Sequence, residues 1–255
     1  MDYKPMLDLA IEAVKQAEKI ILKYYGGEVQ TEYKSDNSPV TIADKEAEKV
    51  IKDVIKNKSP DHSFLGEESG KESTTSEFLW IIDPIDGTKN FTRGIPLFAT
   101  QIALFHKNIP VVGLSYNPIL KELFTASKGS GTFLNGEKVN VSNVNSISKA
   151  YTTFGGLKYF TKNNLEKKIE EIATKSYYSR GIGDAWSYHL LARGAMDIMI
   201  EAETKIWDIA AVSVIIEESG GKVTDLKGNN ISPNTTSIIA TNGKVHEEVL
   251  AIFNK

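Results

Sequence analysis

The amino-acid sequence predicts an α+β or mixed α/β protein in which sheets are layered with helices. Two helical patterns open the chain, a series of strand patterns begins at Phe78, and both kinds of pattern alternate after residue 140. We find no internal repeat, low-complexity tract or long linker in the sequence. We therefore expect residues 1–255 to form a single unit, with an N-terminal half of about 1–140 and a C-terminal half of about 141–255.

Helical periodicity marks the first 60 residues. One apolar stripe has spacings of mostly three, four and seven residues, and its members are Leu7, Ile11, Val14, Ile21 and Tyr25. Such a stripe is typical of a helix, and Gly26-Gly27 is a suitable end for it. A second helix is predicted to begin at Thr41, where Thr41 and Asp44 have the spacing of a capping box. Ser59-Pro60-Asp61 ends this helix.

Strand patterns dominate the next segment. The run from Phe78 to Ile82 is continuously apolar, which favours a strand buried on both faces. Further strands are predicted at 100–105, 110–116 and 122–126. The dipeptide Asn135-Gly136 between two short apolar runs predicts a tight hairpin.

The second half mixes both periodicities. The sequence predicts strands at 195–200 and 236–241 and helices at 164–173, 184–193, 208–219 and 245–253. Glycines follow two of these helices, at Gly194 and at Gly220-Gly221, as expected for helix ends.

Composition narrows the classes of function. The hydrophobic fraction of 41% and the charged fraction of 25% are those of a globular protein. Thirty basic and thirty-three acidic residues give a net charge of −3, which offers no electrostatic reason to expect nucleic acid or a membrane surface as a partner. The absence of cysteine excludes disulfides and thiolate chemistry. No signal peptide and no run of roughly 18 apolar residues is present, so we expect a cytoplasmic location.

Three segments place carboxylates in apolar surroundings: Gly66-Glu67-Glu68-Ser69, Asp83-Pro84-Ile85-Asp86-Gly87-Thr88 and Trp207-Asp208-Ile209-Ala210-Ala211. A buried carboxylate is costly unless it is paired or coordinates a metal ion, and Mg²⁺ prefers oxygen ligands. Asp83 and Asp86 are three residues apart across a proline, so a turn can direct both at one ion. Gly87 lets the backbone approach a phosphate closely.

Each segment alone has a simpler explanation. Asp208 suits the cap of a helix, Glu67-Glu68 suits a solvated surface pair, and Asp86-Gly87 is a common turn dipeptide. A run of Asp-Pro-Ile-Asp-Gly-Thr directly after a buried strand is harder to explain structurally. The three segments together favour a metal site.

With these three signatures the sequence resembles the inositol monophosphatase family of magnesium-dependent, lithium-sensitive phosphatases. The resemblance runs from Lys34 to Gly221. It implies a layered αβαβα sandwich, usually a homodimer, and hydrolysis of a small-molecule phosphate monoester. In that case the N-terminal half supplies the metal-binding carboxylates, and the C-terminal half supplies the substrate pocket and the last metal ligand.

The resemblance also implies roles for individual residues. Glu67, Asp83 and the backbone carbonyl of Ile85 would hold one Mg²⁺ ion, Asp83, Asp86 and Asp208 would hold a second, and a third, weaker ion would lie near Glu67. Asp44 and Thr88 would position the attacking water, which Glu67 would polarise. The amides of Gly87 and Thr88 would contact the phosphate.

The substrate is less well defined by the sequence. Glu201 stands seven residues before Asp208, where the family places a carboxylate that binds substrate hydroxyls. Gly183-Asp184 resembles the histidinol-phosphate phosphatase branch, whose substrate carries an ammonium group that a further carboxylate would bind. Asp184 also suits a helix cap, and Trp207 fits the inositol branch better. Histidinol phosphate and inositol monophosphate both remain candidates, as does a broad specificity that includes fructose 1,6-bisphosphate.

The sequence leaves two other functions open. A regulatory metal-binding protein that contacts RNA polymerase or RNA is the alternative from another class, and a phosphatase for 3′-phosphonucleotides would use stacking aromatics such as Trp186 and Tyr188.

The four histidines are scattered along the sequence, and we expect them to be structural: His62, His106, His189 and His246. The polar segment 26–38 is expected to form a loop over the site.

Overall fold

The computed structural model of the chain describes residues 1–27, 31–33 and 39–255. The helices are α1 (Lys4–Tyr24), α2 (Ile42–Lys58), α3 (Thr88–Phe91), α4 (Leu157–Lys162), α5 (Glu166–Lys175), α6 (Asp184–Ala192), α7 (Ile206–Glu218) and α8 (His246–Phe253). The strands of the first half are β1 (Thr31–Tyr33), β2 (Pro39–Thr41), β3 (Ser63–Gly66), β4 (Gly70–Glu72), β5 (Phe78–Asp86), β6 (Ala99–His106), β7 (Ile109–Asn117), β8 (Glu122–Ser127), β9 (Gly131–Leu134) and β10 (Glu137–Val139). The strands of the second half are β11 (Tyr151–Phe154), β12 (Tyr178–Arg180), β13 (Ile198–Ala202), β14 (Lys222–Thr224) and β15 (Ser237–Thr241).

Two mixed sheets form the framework. Eight strands of the first half follow the order β10-β9-β8-β7-β6-β5-β3-β4, in which only the β3–β5 pair is parallel. Five strands of the second half follow the order β12-β11-β13-β15-β14. The short β1 and β2 pair with each other.

Helices cover both sheets and separate them. Helices α1 and α2 pack on one face of the large sheet, and α6 and α7 lie between the two sheets. Helices α4, α5 and α8 cover the outer face of the small sheet. The layers therefore follow the order αβαβα, which confirms the fold that the sequence signatures imply.

Most of the predicted elements are present with small shifts at their ends. The two N-terminal helices occur as α1 and α2, and Thr41 and Asp44 do form a capping box at the start of α2. Leu134 pairs with Glu137 across the Asn135-Gly136 turn, so the predicted hairpin is confirmed. The predicted helix at 164–173 begins two residues later, and the strand predicted at 195–200 begins only at Ile198.

The central strand differs from the prediction in a way that matters for function. The apolar run suggested that this strand ends at Ile82, but β5 continues through Pro84 to Asp86. The pairing with β6 shifts register between Asp83 and Asp86, and this irregularity admits a proline that lacks an amide donor. Both aspartates are therefore fixed by the sheet itself.

The sequence did not predict seven of the strands or helix α4. Strands β3, β4, β11, β12 and β14 have three or four residues each, too few to show an alternating pattern, and β1 and β2 are equally short. Of the segment 26–38, residues 31–33 pair with β2, and residues 28–30 and 34–38 lie outside the described part. None of the helices in the described ranges is long and apolar enough to cross a membrane.

Candidate active site

A cleft of about 190 Å³ opens where β5 ends and α7 begins. Sixteen residues line it, and seven of them carry carboxylates: Glu67, Asp83, Asp86, Asp184, Glu201, Glu203 and Asp208. Lys89 is the one lining residue with an amine among the residues that the structure describes. Nearly all of the predicted site residues are brought together here, including Ile85, Gly87 and Thr88.

The end of β5 orients two of the carboxylates. Asp83 accepts a hydrogen bond from the amide of Ile85 at 2.9 Å, which closes a turn around its side chain. Asp86 accepts a hydrogen bond from the side-chain amide of Gln101 on the neighbouring strand β6, at 3.2 Å. Both aspartates are buried, at 2% and 8% exposure. Gln101 has no signature in the sequence, and only the pairing of β5 with β6 identifies it.

Two further carboxylates lie at helix N-termini, where a backbone amide orients each of them. Asp44 in α2 and Asp208 in α7 are each the third residue of their helix. One oxygen of each accepts a hydrogen bond from the N-cap amide at 2.8 Å, from Thr41 and Lys205 respectively. For Asp208 the capping explanation is therefore confirmed, and the same side chain also lines the cleft.

Three of the carboxylates are close enough to share an ion. Asp83, Asp86 and Asp208 each offer an oxygen, and these three oxygens lie within 4.8 Å of one another. This trio matches the second of the two ligand sets implied by the sequence. Glu67 is hydrogen-bonded to Asp83 and so extends the cluster towards the turn between β3 and β4.

The carboxylates raise one another's pKa. Burial and then the charges of Glu67, Asp86 and Asp208 hold the pKa of Asp83 well above its usual range. Burial is also the main cause for Asp208, whose pKa rises to about 7, and for Glu201, whose pKa rises to about 8. Buried acids with no bound cation hold protons at neutral pH for this reason.

The donor set fits a hard divalent cation. All of the clustered groups are carboxylate oxygens, which Mg²⁺ prefers, and the described part of the chain has no cysteine that would select a softer metal. Seven carboxylates and one amine would repel a phosphate unless protons or cations neutralised part of that charge, and only bound cations would also attract the phosphate. The arrangement therefore suits metal ions that also bind an anionic substrate.

Thr88 lies beside the cluster at the start of α3. Its hydroxyl donates to the carbonyl of Ile85 at 3.0 Å and lies 3.4 Å from a carboxylate oxygen of Asp44. Gly87 precedes it with a φ of 95°, and a side chain there would come within 3.0 Å of the Leu97 carbonyl. Glycine is therefore required for this tight turn. Asp44 has 0% exposure and, unlike Thr88, does not line the cleft.

The opposite wall of the cleft holds Glu201 and Asp184. Glu201 accepts a hydrogen bond from the Tyr188 hydroxyl at 2.6 Å and from the backbone amide of Asp184. Asp184 is the first residue of α6, after the N-cap Gly183, and its carboxylate accepts from the side chain of Asn90 at 3.0 Å. The prediction that Asp184 caps a helix is therefore wrong, because its side chain bonds to α3 instead.

Several lining residues were not predicted from the sequence. They come from α3, from the loop after β11, from α4 and from the segment around β13: Lys89, Gly155, Gly156, Tyr159, Ala202, Glu203 and Thr204. Among the residues that the structure describes, Tyr159 is the one aromatic side chain that lines the cleft. The proposed stacking pair is not found there, since Tyr188 is buried and bonds to Glu201, and Trp186 packs against the core.

A serine, a histidine and a glutamate also meet elsewhere in the fold. The Ser115 hydroxyl lies 2.7 Å from His189 Nε2, and His189 Nδ1 lies 3.6 Å from Glu122. Ser115 and His189 have 0% exposure and do not line the cleft, so a substrate cannot reach this group. None of the four histidines lines the cleft among the described residues.

A buried cluster of carboxylates at the end of a central strand, inside αβαβα layers, defines a class of metal-dependent enzyme. The family model of the inositol monophosphatase family matches residues 2–255. The chain is 34% identical to a histidinol-phosphatase of Mycobacterium tuberculosis, over 97% of each protein. It is 35% identical to the Nus factor SuhB of Pasteurella multocida, over 96% of this chain and 94% of that protein. The structure of an inositol monophosphatase from Anabaena (Nostoc) superposes with a TM-score of 0.88, at 30% identity over 100% of this chain and 97% of the other.

The chain therefore belongs to the inositol monophosphatase family, and it is a phosphatase that hydrolyses phosphate monoesters. The resemblance carried by the three sequence signatures is confirmed along the whole chain. The relatives differ in their names, so membership of the family does not identify the substrate.

Proposed function

We propose that the protein hydrolyses a small phosphate monoester with two or three Mg²⁺ ions, and that histidinol phosphate is the preferred substrate. The observation that carries the metal-dependent reaction is the approach of Asp83, Asp86 and Asp208 to within 4.8 Å of one another. Glu67 and the carbonyl of Ile85 would complete the ligands of the other ion. The two halves of the chain would act as one catalytic unit, because Asp208 comes from the second half and the other ligands come from the first.

The bound ions would neutralise the charge on the phosphate oxygens and lower the pKa of the attacking water, so that no histidine base is needed. The protein's own groups would then orient the reactants. Thr88 would hold the attacking water and Glu67 would polarise it, while Asp44, which lies 3.4 Å from the Thr88 hydroxyl and outside the cleft, would position the water through Thr88. The amides of Gly87 and Thr88, which begin a helical turn and have no acceptor within it, would bind the phosphate.

The preference for an amine substrate follows from the opposite wall of the cleft. Asp184 and Glu201 lie next to each other there, whereas Glu203, which also lines the cleft, is paired with Lys162 at 2.9 Å. Metal ions at the end of β5 would be ligated by Asp83, Asp86 and Asp208, whereas Asp184 and Glu201, which are close enough to raise the pKa of Asp86, would not be ligands. A substrate ammonium would supply the missing positive charge, whereas a polyol would supply none.

Replacement of Asp184 by asparagine should separate amine from polyol substrates. The asparagine carbonyl can still accept the bond from Asn90, so the fold at the start of α6 should be kept. Loss of the charge should raise KM for histidinol phosphate about tenfold and leave KM for inositol 1-phosphate nearly unchanged, since a hydrogen bond to a charged group contributes about 1.5–3 kcal/mol. Steady-state phosphate release gives both constants.

Wild-type specificity is measured in the same assay, with fructose 1,6-bisphosphate and 3′-phosphoadenosine 5′-phosphate as further substrates. A preference of about tenfold for histidinol phosphate, abolished by Asp184→Asn, would support the amine reading. Equal effects of the substitution on both substrates would make Asp184 structural and favour an inositol phosphate or a broad specificity.

The 35% identity to a protein named Nus factor SuhB keeps a regulatory role as the second candidate. This role would place a binding partner on the surface and would not need turnover at the cleft. Phosphate release that is absent for all four substrates in the presence of Mg²⁺ would favour it. Detectable turnover would show that the protein is a catalyst, and any regulatory role would then be additional to catalysis.

We also propose that the protein is a cytoplasmic homodimer with the lithium sensitivity of its family. Three tyrosines with contacting rings, Tyr151, Tyr177 and Tyr178, are exposed at the edge strand β12 and its neighbour β11. Exposed aromatic residues are enriched at protein interfaces, so this edge is the surface we assign to the second copy. Sedimentation of the wild type and of Tyr177→Ser tests the assignment.

A further inference from the structure

A buried carboxylate outside the cleft contacts the turn that carries Glu67. Glu48, in the second turn of α2, is 2% exposed. Its two oxygens accept hydrogen bonds from the backbone amides of Glu68 at 2.8 Å and of Ser69 at 2.9 Å. These amides belong to the turn between β3 and β4, directly after Glu67.

Gly66 provides the space for this contact. A side chain at position 66 would place its Cβ 2.3 Å from a carboxylate oxygen of Glu48, which is far inside van der Waals contact. The glycine of the Gly66-Glu67-Glu68-Ser69 signature is therefore explained by Glu48 rather than by an unusual backbone angle. On the other side of the turn, the amide of Glu67 donates to the carbonyl of Ile82 on β5 at 3.1 Å.

The contact belongs to a polar stripe along α2. Asp44, Glu48, Lys52 and Lys56 follow at intervals of four residues and so lie on one face of the helix. Lys52 donates to the Ser69 hydroxyl at 2.8 Å, and both lysines form ion pairs with Glu72 at the end of β4. The turn is thus held by α2 on one side and by β5 on the other.

We propose that Glu48 is a positioning residue for Glu67, which fixes the turn between β3 and β4 so that the Glu67 carboxylate is held beside Asp83 as a metal ligand. The inference rests on the proposed magnesium-dependent function. If position 48 only stabilised the β3–β4 hairpin, a neutral acceptor or an apolar side chain there would serve equally well. Glu48 instead supplies two charge-assisted hydrogen bonds to the two residues that follow the ligand, and such partners of metal ligands set the orientation of the ligand.

Glu48→Gln should weaken metal binding without unfolding the chain. Glutamine has the same shape, but its amide group presents a donor to a backbone donor, so one of the two hydrogen bonds is lost. Loss of an interaction that orients a metal ligand commonly lowers metal affinity 10- to 100-fold, and we expect about a tenfold rise in the Mg²⁺ concentration that gives half-maximal activity. The value of kcat at saturating Mg²⁺ should change much less.

Binding is also measured without turnover. Metal-free protein is titrated with Mn²⁺ and the free ion is followed by its electron paramagnetic resonance signal. We expect the Mn²⁺ dissociation constant of Glu48→Gln to rise by a factor similar to that of the activity midpoint. Gly66→Ala provides a second variant, because its Cβ displaces the Glu48 carboxylate while Glu48 itself is unchanged, and the same shift is expected.

Glu218→Gln is the matched control. The Glu218 carboxylate also accepts from two turn amides, those of Gly129 and Gly131, both at 2.8 Å. Glu218 lies ten residues beyond Asp208 along α7, roughly 15 Å from the cleft at 1.5 Å per residue. The same chemical change there should lower thermal stability but leave both metal constants as in the wild type.

The outcomes separate the two proposals. If the wild type neither binds Mn²⁺ nor needs Mg²⁺, the proposed function itself fails. If the wild type does both, and Glu48→Gln is folded but has wild-type metal constants, Glu48 only stabilises the hairpin and the positioning role is wrong. A shift of similar size in Glu218→Gln would also overturn the role, because it would show a general effect of lost stability.

Discussion

Replacement of Asp83 by asparagine is expected to lower kcat about a hundredfold or more. Asp83 is hydrogen-bonded to Glu67 on one side and approaches Asp86 and Asp208 on the other, so it is the group that both proposed ions would share. Asparagine has nearly the same shape but lacks the charge. Charge stabilisation by the metal ions contributes several kcal/mol to such a reaction, and each 1.36 kcal/mol corresponds to a factor of ten.

The measurement is steady-state phosphate release at saturating Mg²⁺. Asp197→Asn is a suitable control, because Asp197 is similarly buried but accepts its hydrogen bonds outside the cleft, from the amide of Tyr151, the hydroxyl of Ser142 and the side chain of Asn242. This control should lose stability and keep its metal dependence. Retention by Asp83→Asn of more than about a tenth of the wild-type kcat would contradict a shared ligand.

Removal of the metal is expected to abolish activity and to make the stability of the fold depend on pH. Dialysis against EDTA should stop phosphate release, and added Mg²⁺ should restore it. Without cations, burial raises the pKa of Asp208 to about 7 and that of Glu201 to about 8, from the values near 4 that these acids have when unfolded. Thermal unfolding with EDTA and with Mg²⁺, at pH 6.5 and pH 8, measures the effect.

The direction in which stability changes with pH follows from proton linkage. An acid whose pKa is raised by folding is protonated in the folded state and ionised in the unfolded state, so its contribution to stability is lost as the pH rises through the folded value. The Tm of the metal-free protein should therefore fall between pH 6.5 and pH 8, and the fall should be small with Mg²⁺. The neutral, buried His189 and His246 have lowered pKa values and act in the opposite direction, but mainly below pH 6.5. If the Tm of the metal-free protein did not change between pH 6.5 and pH 8, Asp208 and Glu201 would not be protonated in the folded state as predicted.

The sequence predicted the layers of the fold better than the sheet edges. Long elements such as α1, α2 and β6 carry enough periodic positions to be recognised. Short strands such as β11 and β12 are defined by their neighbours, because three or four residues hold no pattern of their own. The extension of β5 to Asp86 was missed because a proline normally ends a strand, and here a register shift admits it.

The carboxylates that meet in the cleft were predictable because a carboxylate next to an apolar run is unusual in any sequence. The residues that orient them were not, since Gln101 and Glu48 look like ordinary polar residues of a strand and a helix. Tyr159 reaches the cleft from a segment far in sequence from the predicted site residues, so only the packing of α4 against the small sheet reveals it. Asp184 was identified, but its bond to Asn90 across 94 residues had no signal.

Metal ions bound by Asp83, Asp86 and Asp208 are proposed to carry the hydrolysis of a phosphate monoester. The most direct test is anomalous diffraction from crystals soaked in Mn²⁺ and phosphate, with Mn²⁺ in place of Mg²⁺. We predict an anomalous peak about 2.1 Å from an oxygen of each of the three aspartates, as for Mg²⁺, with phosphate as a further ligand near Gly87 and Thr88. Peaks confined to other carboxylates, with activity still dependent on Mg²⁺, would show that these three aspartates do not bind the catalytic ions.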